Sequence, residues 1–436
     1  MKQSSQNNFI ERLETHPSLK SRFESILDIA ENTNGDVIKA DEAERRTIEE
    51  VRKLGNEVLH DWATQRVEVS ANELKDEEKN VKGNGKKKIA WHTTFGNIEI
   101  RERLFIRPGK QFRPFSCSAG VSNRRCSLPL QRIIVDFGAD HAFGRVPKKL
   151  EEHYGIEIAT STIQALTEKH ANQMYEQKKE AQTIPNQVGC RVQIGEMDGS
   201  MIPIVSIDEE AKDSRKNKTL SWKEVRLSLV HEKGSTSPKL GAVFQGSVDD
   251  AGQCLLDSAI LAGFGTQTHL HAVGDGAPWI ADQVEDKFGP QGSYLVDFYH
   301  VCEYLADAAK SCATDQEKSW LKTQKKLLKN NDYKKVIHNL KPYLEADNIE
   351  ESKAPVRACH RYLSNRTNQL DYKTAIDAEL PIGSGEIESA HRYVIQERFK
   401  LSGAWWKAAN ADSMLALRVV RANKGWNKYW EKAKVA

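Results

Sequence analysis

The sequence predicts a multi-domain α+β protein whose centre is a mixed sheet flanked by helices. Three observations predict it. The 436 residues suffice for two to four domains of roughly 100–200 residues each. Apolar residues recur at three-to-four spacing over the first 75 residues and again beyond residue 300, which is the period of an amphipathic helix. Between residues 189 and 300 short apolar runs alternate with helical ones, which is the pattern of an α/β layer. Composition is globular, with 39% hydrophobic and 29% charged residues. No apolar run approaches the roughly 18–20 residues of a membrane span. The stretch from Met1 to Asn8 lacks the apolar core of a secretory signal. Seven scattered cysteines, never in a C-x-x-C pair, fit a reducing compartment better than a disulfide framework. A soluble cytoplasmic protein is the expectation.

Residues 1–80 read as a helical N-terminal region and hold 12 basic against 18 acidic residues. The Lys/Gly stretch 82–88 reads as a breaker and a boundary. Residues 81–130 then form a small β-rich module, with a hairpin over 89–101 and more strand at 104–106. Its charge is one-sided, with 12 basic against 2 acidic residues over 81–132. Residues 131–188 turn helical. Helices over 146–154 and 160–169, joined by a Gly155 turn, have the shape of a helix-turn-helix whose second member opens at Ser161-Thr162. Helix pairs of this kind also occur in bundles that bind nothing. Cys117 and Cys126 are close in sequence, but no second ligand pair lies nearby. Plain thiols are therefore the simpler account, and a metal there is left open.

Strands are expected at 191–197, 201–206, 225–231, 240–245, 269–273 and 294–296, with helices at 250–261 and 277–288. Several strands, a helix, a strand, a helix and a strand is the order of a ribonuclease-H-like domain, so 189–300 is read as the first part of such a core. Residues 301–376 are an all-helical, lysine-rich insertion. Residues 377–436 complete the core with helix, and 389–436 hold 10 basic against 3 acidic residues.

Three acids stand out. Asp198 and Asp275 follow strands, and Glu388 opens the last helical segment. Carboxylates from adjacent strand ends and a crossing helix can converge; their mutual repulsion is usually relieved by a hard divalent cation that retains waters for a substrate phosphate. Each also has a plainer account, because Asp-Gly pairs favour turns and a first-turn Glu suits a helix dipole.

Here the chain resembles the bacterial insertion-sequence DDE transposases of the ISKra type, akin to the Mutator-like group. The resemblance rests on M-D-G (197–199), G-D-G-A-P-W-I (274–280), V-D-F-Y-H-V-C-E-Y-L (296–305), G-S-G-E-I-E-S-A-H-R (383–392), R-F-K-L-S-G-A-W-W (398–406) and A-L-R (416–418). It implies catalytic and metal-binding roles for Asp198, Asp275 and Glu388, with Glu386 as a neighbouring decoy. It implies two Mg²⁺ ions, for which Mn²⁺ substitutes. The family's D-x-x-H element falls on Asp297 and His300; near the metal site or as helix cap and packed ring are equal alternatives. Arg392, one turn after Glu388, is placed to orient the carboxylate or hold a phosphate. The partners implied are double-stranded DNA, at element ends and target, and a second copy of the chain in a homodimer or higher oligomer. The setting implied is the bacterial cytoplasm, associated with the nucleoid.

DNA contacts are expected from Lys86, Lys87, Lys88, Arg124 and Arg125 of the basic module, from Ser161 and Thr162, and from Lys400 and Lys407. Trp405 and Trp406 are candidates for stacking on DNA, with core packing as the default, while Trp279 reads as core. Transposase is the leading function. A catalytically inactive DNA-binding descendant and a ribonuclease-H-like nuclease are the alternatives.

Overall fold

The structure is a computed structural model that describes residues 9–78, 80–177, 182–207 and 218–433, so the N-terminal octet lies outside it. Two compact units are present, residues 1–167 and 168–436. Among the described residues no helix is long and apolar enough to cross a membrane.

The first unit opens with α1 (Pro17–Glu31) and the 38-residue α2 (Ala40–Glu77). Asp41 and Glu42 sit in the first turn of α2, where the helix dipole favours them. Ala63 and Val67 of α2 pack with Ile89, Trp91, Ile98, Ile100 and Phe115. Those residues belong mainly to β1 (Lys82–Thr93) and β2 (Gly96–Arg107), and β3 (Lys110–Phe112) completes an antiparallel sheet. The stretch 82–88, expected as a breaker, is strand. Lys86, Lys87 and Lys88 pair with Arg103, Glu102 and Arg101, after a bulge between Gly83 and Lys86. The ladder satisfies the backbone while the lysine side chains stay in water.

Then follow α3 (Leu128–Asp140), α4 (Val146–Tyr154) and α5 (Thr160–Glu176), with the unit boundary inside α5. Leu130, Ile134, Val146, Leu150 and Ile163 share one core. Gly155 makes the expected tight turn as a left-handed cap on α4, with φ +65°, and Ile156 and Ile158 of the link that follows join that core.

In the second unit five strands form one sheet in the order β6-β5-β4-β7-β8. They are β4 (Val192–Ile207), β5 (Lys218–Glu232), β6 (Lys239–Phe244), β7 (His269–Gly274) and β8 (Gly292–Val296). β4 is antiparallel to β5, and β5 to β6; β4, β7 and β8 run parallel. α6 (Val248–Leu261) and α7 (Pro278–Phe288) cover one face, where Met197 and Val230 meet Leu255, Ile280 and Val284. Burying each such side chain contributes roughly 1.5–3 kcal/mol.

The helical block comprises α8 (Phe298–Cys312), α9 (Glu317–Lys329), α10 (Tyr333–Leu340), α11 (Pro355–Ser364) and α12 (Tyr372–Asp377). Its core of Val301, Leu305, Leu328, Val336, Leu363 and Tyr372 is continuous with Leu295 and Val296 of β8. After it come α13 (Gly385–Ala390), a π-helical stretch His391–Gln396 continuous with it, α14 (Ala408–Ala422) and α15 (Trp426–Ala433).

Asp198 does not end a strand. It pairs with Leu227 in the middle of β4, because the ladder to β5 runs unbroken to Ile207. What ends nearby is the parallel neighbour, whose last pairing with β4 is Glu196 with Val273.

Candidate active site

Successive side chains of a strand point to opposite faces. Met197 enters the core under α6, so Glu196 and Asp198 both face α13. Glu196 is buried, and its Oε2 accepts a hydrogen bond from the backbone N–H of Ile387 at 2.7 Å. Burial pushes its carboxyl up to about 8; the Ile387 N–H opposes the rise, while Glu386 and Asp297 add to it. Glu196 is therefore largely neutral near pH 7 and anchors the start of α13.

A second buried acid holds the same turn. Asp297 caps α8 by accepting from the N–H groups of Tyr299 and His300, at 2.6 and 3.0 Å. Its other oxygen accepts from the Ser384 N–H and hydroxyl, at 2.6 and 2.7 Å. Gly383 lies close at this join, where a Cβ would stand 2.7 Å from the exposed Tyr299 ring and would displace it. His300 sits outside this contact, with Nδ1 3.3 Å from Glu303 and its ring against Tyr304 and Tyr362.

The anchored helix presents Glu388 to a cavity of about 430 Å³ lined by Asp198, Ser200, Glu388, Ser389, His391, Arg392 and Gln396. Asp198 is half-buried and Glu388 exposed. His391 Nε2 lies 3.2 Å from Asp198 Oδ2, out of line for a hydrogen bond, and Asp198 Oδ1 accepts from the Gly199 N–H. Lys400 Nζ donates to Ser200 Oγ at 2.9 Å. Glu386 points elsewhere, to His231 Nε2 at 3.3 Å.

Asp275 leaves β7 two residues beyond Val273, as Asp198 lies two beyond Glu196 on the adjacent strand. It is exposed, is not among the cavity residues, and accepts from the Ala277 N–H at 2.8 Å. Its loop is held through the backbone from the helical block. Tyr362 Oη donates to the Asp275 carbonyl at 2.5 Å, and Arg366 Nε to the Gly276 carbonyl at 2.7 Å. Gly276 has φ +85°, and a Cβ there would stand 2.4 Å from Tyr362 Oη.

Mg²⁺ is typically held by one or two carboxylates, waters and substrate phosphate. Asp198 and Glu388, hard oxygen donors on one open cavity, fit that donor set. Among the described residues, no three His, Cys, Asp or Glu side chains are gathered closely enough to hold a metal ion. Asp275 is thus not drawn in with the other two.

Of the expected DNA-contacting residues, Lys400 lies at this cavity. Lys407 is exposed after Trp406. Lys86, Lys87, Lys88, Arg124, Arg125 and Ser161 are exposed in the first unit, and Thr162 is half-buried there. Lys88 is paired with Glu99 at 2.7 Å. Trp406 is buried against Phe399, and its backbone pairs with β4 on both sides of Ile204, which removes it as a stacking surface. Trp279 is half-buried under Arg226. Cys117 is an exposed thiol and Cys126 a buried one, whose pKa burial pushes up to about 11.

Residues 262–434 match the profile of an uncharacterised protein family, UPF0236, which is less than half of the chain. That stretch contains Asp275 and Glu388 but not Asp198. Comparison with curated proteins returns no match.

Proposed function

We propose that the protein is a DDE-type DNA transposase that cleaves and joins DNA at the ends of a mobile element on a ribonuclease-H-like core. The observation that carries this reading is the meeting of Asp198 and Glu388, far apart in sequence, on one open cavity with Arg392 beside them. The strand order supports it, with the three chain-consecutive strands antiparallel and the next two parallel on the far side of β4.

The residues divide the work. Asp198 and Glu388 would hold Mg²⁺, with Asp275 on the adjacent strand end as the third candidate carboxylate. Bound there, Mg²⁺ supplies the charge that activates an attacking oxygen and stabilises a leaving one. Arg392 and Lys400 take non-bridging phosphate oxygens. Glu196 and Asp297 keep the Glu388 helix in place. The reaction is hydrolysis of a phosphodiester that frees a 3′-hydroxyl, followed by attack of that hydroxyl on a target phosphodiester, which forms the joining P–O bond, breaks the target P–O3′ bond and leaves a target 3′-hydroxyl.

The test is a gel shift and a strand-cleavage assay on element-end DNA with Mg²⁺, using wild type and Asp275→Asn. Cleavage should fall by about a hundredfold or more, and end binding should stay within about twofold, because Asn keeps shape and removes only the charge that holds the cation. Wild-type-like cleavage by the variant removes Asp275 from the mechanism. Binding without cleavage by wild type identifies the inactive descendant, and cleavage without joining identifies the nuclease.

A further inference from the structure

Beyond residue 197, β4 leaves the cover of α6 and α7, and its second face opens to water. Register assigns the residues of that face. Met201, Pro203, Val205 and Ile207 pair with Glu224, Trp222, Leu220 and Lys218 of β5. On the other edge of β4, Trp406 pairs at Ile204. Trp406 shares the buried side of Ile204, so Trp405 projects to the open side with Pro203 and Trp222. Trp222 is 54% exposed, Trp405 51%, Leu220 46% and Met201 45%. Pro203, itself buried, lies between the two strand positions that carry the indoles, whose backbones stand about 10 Å apart across two strand spacings.

Cations border this aromatic row. Lys218 Nζ lies 5.8 Å from the centre of the Trp405 ring. Lys407 follows two residues after Trp405 on extended backbone. On the opposite flank Arg226 lies 5.2 Å over Trp279. Glu224 Oε2 is 2.7 Å from Arg226, so the one acid that the described residues of β4 and β5 place on this face is already paired. Flat indoles for bases, with cations beside them for phosphates, are the chemistry that binds an unpaired strand without reading its sequence.

We propose that this open face of β4, β5 and the Trp405 segment binds single-stranded DNA by stacking bases on Trp222 and Trp405. The proposal rests on the transposase reading, since it supplies a place for a strand unpaired near the cut. Asp198 and Ser200 face the cavity while Met201 and Pro203 face the platform, so the two surfaces lie on opposite faces of one short stretch of β4.

The experiment titrates the full chain with labelled oligo-dT and, separately, with a duplex of equal length. It compares wild type with Trp222→Ala, Trp405→Ala, the pair together, and the pair replaced by Phe. Oligo-dT affinity should fall about tenfold for each indole removed and be largely restored by Phe. Duplex affinity should stay within about twofold. Equal losses on both DNAs, or no loss on oligo-dT, overturn the platform while leaving the cleavage reading intact. Loss of self-association by the same variants, with oligo-dT binding unchanged, also overturns it and marks the face as a protein contact. A wild type that binds neither DNA overturns both readings. Half-exposed Trp222 and Trp405 allow all variants to be checked for an unchanged melting temperature first.

Discussion

Along residues 192–197, β4 is hydrogen-bonded on both sides, by β5 and β7, and α6 and α7 cover one of its faces. Along 198–207 it keeps β5, loses β7, and gains only the short Trp406 contact. Glu196 and Asp198 sit on either side of that change, two residues apart on one face. Glu196, in the covered half, is buried, bonded to a helix N–H and neutral near pH 7. Asp198, in the projecting half, opens on the cavity that Glu388 shares. The same functional group holds the fold in one half and is available for chemistry in the other. What separates them is the end of a neighbouring strand.

The sharpest way to break this contrast is to neutralise each acid. Asp198→Asn should lower strand cleavage by about a hundredfold to a thousandfold. Glu196→Gln should cost no more than about threefold, because Gln retains the acceptor for the Ile387 N–H and replaces a carboxyl that is already protonated. Cleavage rates of the two variants in one assay decide the matter. Equal inactivation would mean that the covered half takes part in the reaction.

Adjacent tryptophans give the next largest contrast, now in stability. Trp406 is 5% exposed and packs on Phe399 with Arg398 above its ring, so Trp406→Ala should cost about 3–5 kcal/mol. Trp405→Ala should change stability by less than about 1 kcal/mol, since half of its ring is already in water. Urea unfolding midpoints measure both. A near-neutral Trp406→Ala would show that the projecting half is not held by its edge contact.

How much of this was legible in the sequence follows from the same contrast. The covered strands show as short stretches rich in apolar or small residues, as at 192–197 and 269–273, although both also bury polar side chains, Gln193, Glu196 and His271. The projecting half of β4 does not: Asp198, Gly199 and Ser200 read as a turn, because nothing in one sequence tells that β5 keeps pairing with them. Lys86 to Lys88 were misread for the same reason, since their partners lie across the hairpin. The carboxylates at Asp198 and Glu388 were visible as chemistry. Glu196 carries a signal in the sequence as well, since its i,i+2 spacing from Asp198 puts both on one face of a strand. Tyr362 and Arg366, which hold the Asp275 loop, had no local signal. They reach it from the end of α11 and the turn after it, 87 and 90 residues away.

The smallest expected effect concerns protons in the covered half. His271 on β7 lies beside Ile194, and its Nε2 donates to the Pro381 carbonyl at 2.9 Å. Burial lowers its pKa below the ordinary imidazole value; the Pro381 bond opposes this, and His269 adds to it. A neutral folded ring and an ionisable unfolded one fix the sign. Below about pH 6.5 the unfolded chain binds the extra proton. The stabilisation is therefore complete above that pH and is lost as pH falls toward the folded value. His271→Gln keeps a donor for Pro381 and cannot titrate. Between about pH 7 and about pH 5 wild type should lose a few degrees of melting temperature more than this variant. His269, also lowered by burial, titrates in both proteins, so the difference reports His271 together with its charge coupling to His269. Equal losses would mean that His271 takes up its proton without cost, and that water reaches the covered half as freely as it reaches Asp198.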